Sequence, residues 1–339
     1  MKIVPIQDAV DLVLEHDITE IVPGGFKGPA FKRGHVIQAE DVERLRNLGK
    51  ENIAVLDLAP GMVHEDDAAL RLASAVAGTG VVISEPSEGK VNLVAARDGL
   101  LKIDVARLHQ INAIEDVMLA TCHTNRAVSR GQTVAGTRVI PLIVADSSLR
   151  EVEVLCPSHR PLVSVIPLKR KKVGIVTTGS EVYHDRIDDR FGPVVMDKVV
   201  SLGSRVLRQI LVPDDIAMTV EAIQALIDEG AELVLVTGGM SVDPDDVTPA
   251  SIQAVGAEVV AYGAPVLPGA MFMLAYLGNV PIVGLPGCVM YHKTSIFDLV
   301  LPRLLAGERL RRVDLISLGH GGLCLGCQPC RYPECGFGT

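Results

Sequence analysis

One stretch narrows the possible folds more than any other. Ala231-Glu232-Leu233-Val234-Leu235-Val236 is short and mostly apolar, and it runs straight into Thr237-Gly238-Gly239-Met240-Ser241. Such a run predicts a strand buried on both faces, as in a parallel sheet covered by helices. Two glycines then permit a tight turn, Asp243, Asp245 and Asp246 follow, and Thr248-Pro249 opens a helix. A strand, a glycine turn and a helix in succession is where open α/β sheets bind ligands, beyond the carboxyl ends of their strands. Taken alone, the stretch reads equally as a tight turn with a solvated acidic tip.

Its surroundings repeat the pattern. From Val173 onward the chain alternates strand and helix: Val173 to Thr177, a helix over 194–202 stopped by Gly203, a strand over 204–212, and a helix from Pro213-Asp214-Asp215 to Glu229. After the opening strand come a helix over 247–255 and strands at 257–261, 271–276 and 280–283. A last helix runs from Leu285-Pro286-Gly287-Cys288 to Gly307. The fold class expected here is α/β, a doubly wound, mainly parallel sheet. Ahead of it lies an N-terminal α+β region of short strands, and Lys169-Arg170-Lys171-Lys172 marks the boundary as a solvated linker.

The N-terminal half is less regular. Ile6, Ala9, Val10, Val13 and Leu14 stand at helical spacing and predict a short amphipathic helix over 6–16. Residues 22–29 read as loop, 31–37 as a hairpin element, 41–48 as a helix, and 52–58 as a strand. His64-Glu65-Asp66-Asp67 opens a helix whose first-turn carboxylates suit the macrodipole, so capping is a better account of them than acid–base chemistry. Short strands are expected from about 81 to 143, with a helix at 105–112, and an edge or connecting segment at 152–168. Cys122 and His123 are sequence neighbours that a strand would point to opposite faces, which argues against a catalytic pair.

Charge and composition remove several functional classes. With 41 acidic against 32 basic residues, a net charge of −9 argues against a nucleic-acid partner, which needs clustered cations. No stretch of eighteen apolar residues predicts a membrane span, and no apolar leader follows Met1, so a cytoplasmic protein is expected. Aromatic residues are only 3% of the chain, so the core must be aliphatic.

Four loops fall at the carboxyl ends of expected strands: Thr178-Gly179-Ser180-Glu181, Pro213-Asp214-Asp215, Thr237 to Asp246, and Leu285-Pro286-Gly287-Cys288. Small residues and hydroxyls there offer main-chain N–H groups to an anion, and glycines let a phosphate approach closely. The carboxylates alone would repel a phosphate, which implies Mg²⁺ as counter-cation.

Together these motifs resemble the molybdopterin-binding domain shared by MoeA-like molybdenum transferases and MogA/MoaB-like adenylylating proteins, over residues 173–307. The N-terminal half resembles MoeA-like proteins loosely, in the 31–58 segment. The organisation implied is a region 1–170, a molybdopterin-binding domain 171–310 and a tail 311–339. The resemblance implies molybdopterin or its adenylylated form as ligand, molybdate as co-substrate, and a homo-oligomer. Glu181 and Asp246 match acidic residues expected to position metal or molybdate. Gly238, Gly239 and Ser241 match the loop that holds the pterin or its phosphate. Thr178, Gly179, Ser180, Asp214, Asp215, Thr237, Pro286, Gly287 and Cys288 complete the cofactor-binding set. Asp189-Arg190-Phe191-Gly192 is similar to the Asp-x-Ser-Gly of the MogA/MoaB side, with Phe191 in place of Ser.

The departures bear on the reaction. Asp243 stands where the family keeps glycine, Ala270 where MoeA-like proteins keep lysine, and Cys288 where they keep asparagine, placing a thiol at a helix start that favours thiolate. A Ser-Ala-Met-Asp-Gly-Tyr-Ala element is missing. Molybdenum transfer to the dithiolene is one reading, and a non-catalytic carrier that hands finished cofactor to a client molybdoenzyme is the other. A phosphosugar binder on a similar sheet is a third.

Outside the resemblance, Cys324, Cys327, Cys330 and Cys335 are four of the seven cysteines, packed into a glycine-rich tail. C-x2-C spacing lets thiolates converge on a metal, so zinc, an iron–sulfur cluster or transient capture of molybdenum is expected there.

Overall fold

The computed structural model describes residues 2–21, 27–55, 59–241, 243 and 246–338. The chain divides into two compact units, Met1–Ala96 with Ile103–Cys122 and Arg130–Ser164, and Arg97–Lys102 with His123–Ser129 and Val165–Thr339.

In the first unit, strand Lys2–Pro5 runs antiparallel to Asn52–Val55, and Ile18–Ile21 pairs with Lys27–Phe31. Helix Asp41–Asn47 closes this part over a core of Ile6, Leu14, Ile18, Ile37 and Leu45. The helix expected over 6–16 is reduced to a single turn, Ile6–Asp8. Asp11 takes a positive φ of 65°, and Val13 and Leu14 form bridges to Val36 and Val55, so cross-strand pairing overrides the helical spacing. Of the expected loop at 22–29, residues 22–26 lie outside the described residues. So do the last three positions of the strand expected at 52–58.

Helix Glu65–Val76 buries Ala68, Ala69, Leu72, Ala73 and Val76, the apolar stripe that its spacing predicts. His64 caps it by accepting the Asp66 N–H on Nδ1, and three carboxylates occupy the first turn. The helix lies on an antiparallel sheet in the order Val81–Ile83, Lys90–Ala95, Thr133–Val139, Val117–Thr121. The connecting segment expected from 152 is partly helical, because Leu149 and Val152 bury one face of a helix over Asp146–Leu155.

The second unit is built on six strands: β1 Lys172–Thr178, β2 Arg205–Val212, β3 Leu233–Thr237, β4 Glu258–Tyr262, β5 Met273–Leu277 and β6 Val280–Leu285. Their order is β2-β1-β3-β6-β5-β4. The first four in that order run parallel, while β5 and β4 form an antiparallel edge, so the sheet is mixed. Helices Phe191–Ser201 (α2), Ile216–Asp228 (α3), Thr248–Ala254 (α4) and Ile296–Ala306 (α6) cover it, with short helices at Ser180–Tyr183 (α1) and Cys288–Tyr291 (α5).

Alternation along the strands sorts the core into two layers. Val173, Ile175, Leu233, Leu235, Val283 and Leu285 pack with Phe191, Val195 and Phe297 of α2 and α6. Val176, Val234, Val236 and Ile282 pack with Ile223, Leu226 and Ile252 of α3 and α4. Full burial of a side chain such as Phe297 contributes roughly 1.5–3 kcal/mol. The final helix expected over 285–307 is split in two. Ser295 and Asp298 form a reciprocal capping box, and that cap restarts the helix at Ile296.

Candidate functional site

Register fixes where the site is. Thr178 stands opposite Val212, Thr177 opposite Thr237, and Thr237 opposite Leu285, so β1, β2, β3 and β6 end side by side at one edge of the sheet. The four motif loops leave from that edge, as the strand pattern predicts.

Main-chain and hydroxyl contacts tie the loops together. The Ser180 N–H donates to Asp214 Oδ2 at 2.8 Å, and the Asp214 N–H donates to Ser180 Oγ at 3.3 Å. The Thr178 hydroxyl donates to the Thr237 carbonyl at 3.2 Å and lies 3.3 Å from Thr248 Oγ1, which donates to the Gly238 carbonyl at 2.9 Å. Gly238 has φ +88°, and a Cβ on it would run into the Thr178 carbonyl oxygen, so only glycine lets the two loops meet so closely. Met240 is buried against Gly284, where an added Cβ would come within 2.7 Å of its sulfur.

Between the first loop and the start of α2 lies a cavity of about 530 Å³. Its polar wall is Thr177, Thr178, Glu181, Asp188, Asp189, Arg190 and Gly238, and its apolar wall is Val182, Ile187, Phe191 and Met290. Asp189 is a structural anchor: Oδ1 accepts the N–H groups of Phe191 and Gly192 at 2.8 and 3.0 Å, and Oδ2 accepts from Gln209 at 2.6 Å. Gln209 also donates to the Thr177 hydroxyl at 2.8 Å, linking β2, β1 and the helix start. Glu181 is exposed, and among the described residues its carboxylate has no hydrogen-bond or ion-pair partner. Arg190, also without an ion-pair partner among the described residues, supplies a cation at the cavity.

Of the residues expected at the site, Thr178, Glu181 and Gly238 line this cavity. Gly179, Ser180, Asp214 and Thr237 stand behind it in the loop framework, Gly179 at φ +145°. Asp215 caps α3 by accepting the Met218 N–H at 2.8 Å. Ser241, Gly239, Asp246, Pro286, Gly287 and Cys288 are not among the lining residues. Asp246 Oδ2 accepts the Asp243 N–H at 3.2 Å, and Asp245 lies outside the described residues. Gln209, Thr177, Val182, Ile187, Asp188 and Met290 belong to the site without being expected there from the sequence. Gln209 falls in the middle of β2, where no motif marks it, and only the strand pairing brings it to Asp189.

Two chemical expectations change. Burial pushes the Cys288 thiol up, with a main-chain hydrogen bond only partly opposing, because a helix of four residues offers little dipole against desolvation. Among the described residues no group of three His, Cys, Asp or Glu is arranged to hold a metal ion. Asp189, the carboxylate deepest in the hydrogen-bond framework, is already satisfied by three donors.

In the tail, Cys324 and Cys335 pack against the core whereas Cys327 and Cys330 are exposed, and all four are free thiols. The tail is docked: Phe337 is buried, the Tyr332 hydroxyl donates to the Asp298 carbonyl, and the Gly338 N–H donates to the Gly321 carbonyl. Among the described residues these four thiols are not gathered into a metal-holding group. No helix among the described residues is long and apolar enough to cross a membrane.

Comparison with known proteins agrees with the geometry. Residues 174–306 match a family described as the probable molybdopterin binding domain, and residues 3–57 match a domain of unknown function, DUF8806. A molybdenum cofactor biosynthesis bifunctional protein from Synechococcus elongatus is 34% identical over 83 residues, covering 24% of this chain and 26% of that protein. A CinA-like protein from Mycobacterium sp. (strain MCS) is 37% identical over 82 residues, covering 24% of this chain and 19% of that protein. The chain thus spans about a quarter or less of the length of these relatives. Among solved structures, the molybdopterin biosynthesis enzyme MoaB from Thermus thermophilus is 21% identical with a TM-score of 0.33, covering 41% of this chain and 98% of that one. Residues 174–306, which carry the four-loop edge and its motifs, are thus similar to the family described as the probable molybdopterin binding domain.

Proposed function

We propose that this domain binds molybdopterin or its adenylylated form and takes part in molybdenum cofactor maturation, as a MoeA-like molybdenum transferase acting on the dithiolene. The observation that carries the reading is the cavity where Thr178, Glu181, Arg190 and Gly238 meet an apolar wall of Phe191 and Met290. The wall accepts a flat ring and keeps water from one side of it. In this reading Arg190 and the main chain at Gly238, both on the cavity wall, take the phosphate. Glu181, with its carboxylate unengaged, lines the same cavity, and in this reading it carries protons from the dithiolene thiols to a molybdate oxygen that departs as water.

Arg190 also answers a departure from the MoeA-like pattern. The lysine of that pattern is Ala270 here, and Arg190 is a cation that lines the cavity from a different element. Glu181 and Asp246 are the residues proposed to act on metal or molybdate, and the loop residues from Thr178 to Ser180, Asp214, Asp215, Thr237 to Ser241 and Pro286 to Cys288 form the proposed cofactor frame.

The carrier reading rests on the rebuilt loop around Cys288. A partly buried thiol that is held protonated replaces the family's asparagine and leaves the last loop without its amide. The two readings separate on one measurement, pterin-bound molybdenum after incubation with molybdate and adenylylated molybdopterin. Turnover supports transfer. Tight binding of finished cofactor without turnover makes the protein a carrier, and failure to bind molybdopterin in any form overturns both.

A further inference from the structure

The basic run at 169–172 reads as a solvated linker in the sequence, but one of its members faces a cavity. Arg170 and Arg97 line a space of about 600 Å³ in the second unit, separate from the residues of the molybdopterin cavity. That volume lies within the range of small-molecule sites. Among the described residues neither arginine has a carboxylate partner, whereas Arg71, Arg208 and Arg303 each do. Asp98, the one carboxylate among the lining residues, already interacts with a neighbouring group.

The segments that carry the two arginines are held in place. The main chain on either side of Arg170 is clamped by one hydroxyl: Ser204 Oγ donates to the Lys169 carbonyl at 3.3 Å and accepts the Lys171 N–H at 3.2 Å. Two residues after Arg97, Gly99 packs directly on the Ile166 carbonyl, and it pairs with Val128 across an antiparallel ladder. Ser201, Leu202 and Gly203, at the end of α2, close the third side. The main chain that carries the two arginines is thus fixed, so binding has to order only their side chains.

Both arginines are exposed at the rim of this space, so each can turn its guanidinium to an anion that enters it. In a chain of net charge −9 the overall field does not attract an anion, so any recognition here has to be local. Planar guanidinium forks match phosphate and carboxylate oxygens two at a time.

We propose that the Arg97–Arg170 cavity is a second binding site, for a small molecule carrying a phosphate or a polycarboxylate group. The site is independent of the molybdopterin assignment, since it shares no lining residue with that cavity.

The test uses the full chain and calorimetric titration with inorganic phosphate, pyrophosphate and citrate at low salt. Saturable binding to the wild type is expected, weakened about tenfold or more in Arg97→Gln and in Arg170→Gln and lost in the double variant, as befits charge-assisted hydrogen bonds. Arg190→Gln, at the other cavity, should leave this binding in place. Ser201→Glu, an exposed position that adds a carboxylate to the lining, should abolish it and serves if the double variant does not fold. Preference for pyrophosphate identifies a phosphate ester, and preference for citrate a polycarboxylate. Unchanged binding in the double variant or in Ser201→Glu, loss of all binding in Arg190→Gln, or no saturable binding to the wild type overturns the proposal.

Discussion

Ser180 and Asp214 hold each other reciprocally: each donates its main-chain N–H to the other's side-chain oxygen, at 2.8 and 3.3 Å. The pair ties the turn after β1 to the turn after β2, next to Thr178 and Glu181 of the cavity. Asp214→Ala removes both acceptor oxygens for the Ser180 N–H. The expected effect is a stability loss of about 1–2 kcal/mol and at least a tenfold rise in Kd for molybdopterin. Asp214→Asn keeps one acceptor and should recover most of the stability. Denaturant titration with a binding isotherm on both variants checks this, and an Asp214→Ala variant that binds like wild type removes the pair from the site's framework.

Gly238 separates close approach from conformational preference. Gly238→Ala combines φ +88° with a methyl placed against the Thr178 carbonyl oxygen, so a loss on the order of 3 kcal/mol is expected. Gly256 has a similar φ of +84° with nothing within 4 Å of its would-be Cβ, so Gly256→Ala should cost only about 1 kcal/mol. Equal losses in the two would mean that the contact with β1 contributes nothing.

Glu181 and Asp246 are predicted to behave differently. Glu181 reaches the cavity with its carboxylate unengaged, so Glu181→Gln should leave stability within about 0.5 kcal/mol of wild type and remove molybdenum transfer. Asp246 closes its own loop through the Asp243 N–H, so Asp246→Asn should lose cofactor binding or transfer by loosening that loop. If Asp246→Asn matched wild type in both assays, the loop would be a turn and nothing more.

Burial pushes the Glu65 carboxyl up to about 7, with Asp66, Asp17 and Glu88 adding to the shift and Arg138 opposing it. The folded state therefore holds a proton that the unfolded state releases from about 4.5 upward. Glu65 contributes stability in full below about pH 4.5 and loses it as pH rises through 7, by at most about 3 kcal/mol. His16 and His64 are lowered, mainly by burial, and act in the opposite sense below about 6.5, so the useful quantity is the difference between wild type and Glu65→Gln. That difference should change between pH 4.5 and 7 and stay flat above 8. A flat difference across the whole range would show that Glu65 ionises as it does in water.

Much of this architecture was legible because β1 and β3 are apolar runs that end in Thr178-Gly179 and Thr237-Gly238. Register then carried the four loops to one edge without further instruction. What was not legible has physical causes. Gln209 meets Asp189 only through the pairing of β2 with β1, a non-local contact without a local signal. Ile6 to Leu14 have helical spacing, yet Val13 and Leu14 are taken by bridges to Val36 and Val55. The break after Tyr291 falls in the polar stretch His292 to Ser295, and the Ser295–Asp298 capping box restarts the helix beyond it. Cys288 shows the same limit in its chemistry, since the helix start predicts a thiolate and burial decides otherwise.

The thiols offer a last and sharper contrast. Cys330 is exposed and lies 3.2 Å from the Thr294 hydroxyl, which holds its pKa below the ordinary thiol range with help from the Tyr332 main chain. Burial pushes Cys156 and Cys288 the other way. Thiolate is the reacting form, so alkylation at pH 7.5 should label Cys330 well before Cys156 and Cys288, and Thr294→Val should slow Cys330 severalfold while leaving the other two unchanged. Peptide mass spectrometry over a time course reads all three rates at once. Run on protein purified without oxygen, the same experiment tests the tail for metal. Full labelling of Cys324, Cys327, Cys330 and Cys335 without a chelator means free thiols, whereas protection of all four that a chelator releases means that the tail closes on a bound ion. The docked arrangement, with two thiols turned to the core and two to solvent, predicts the first result.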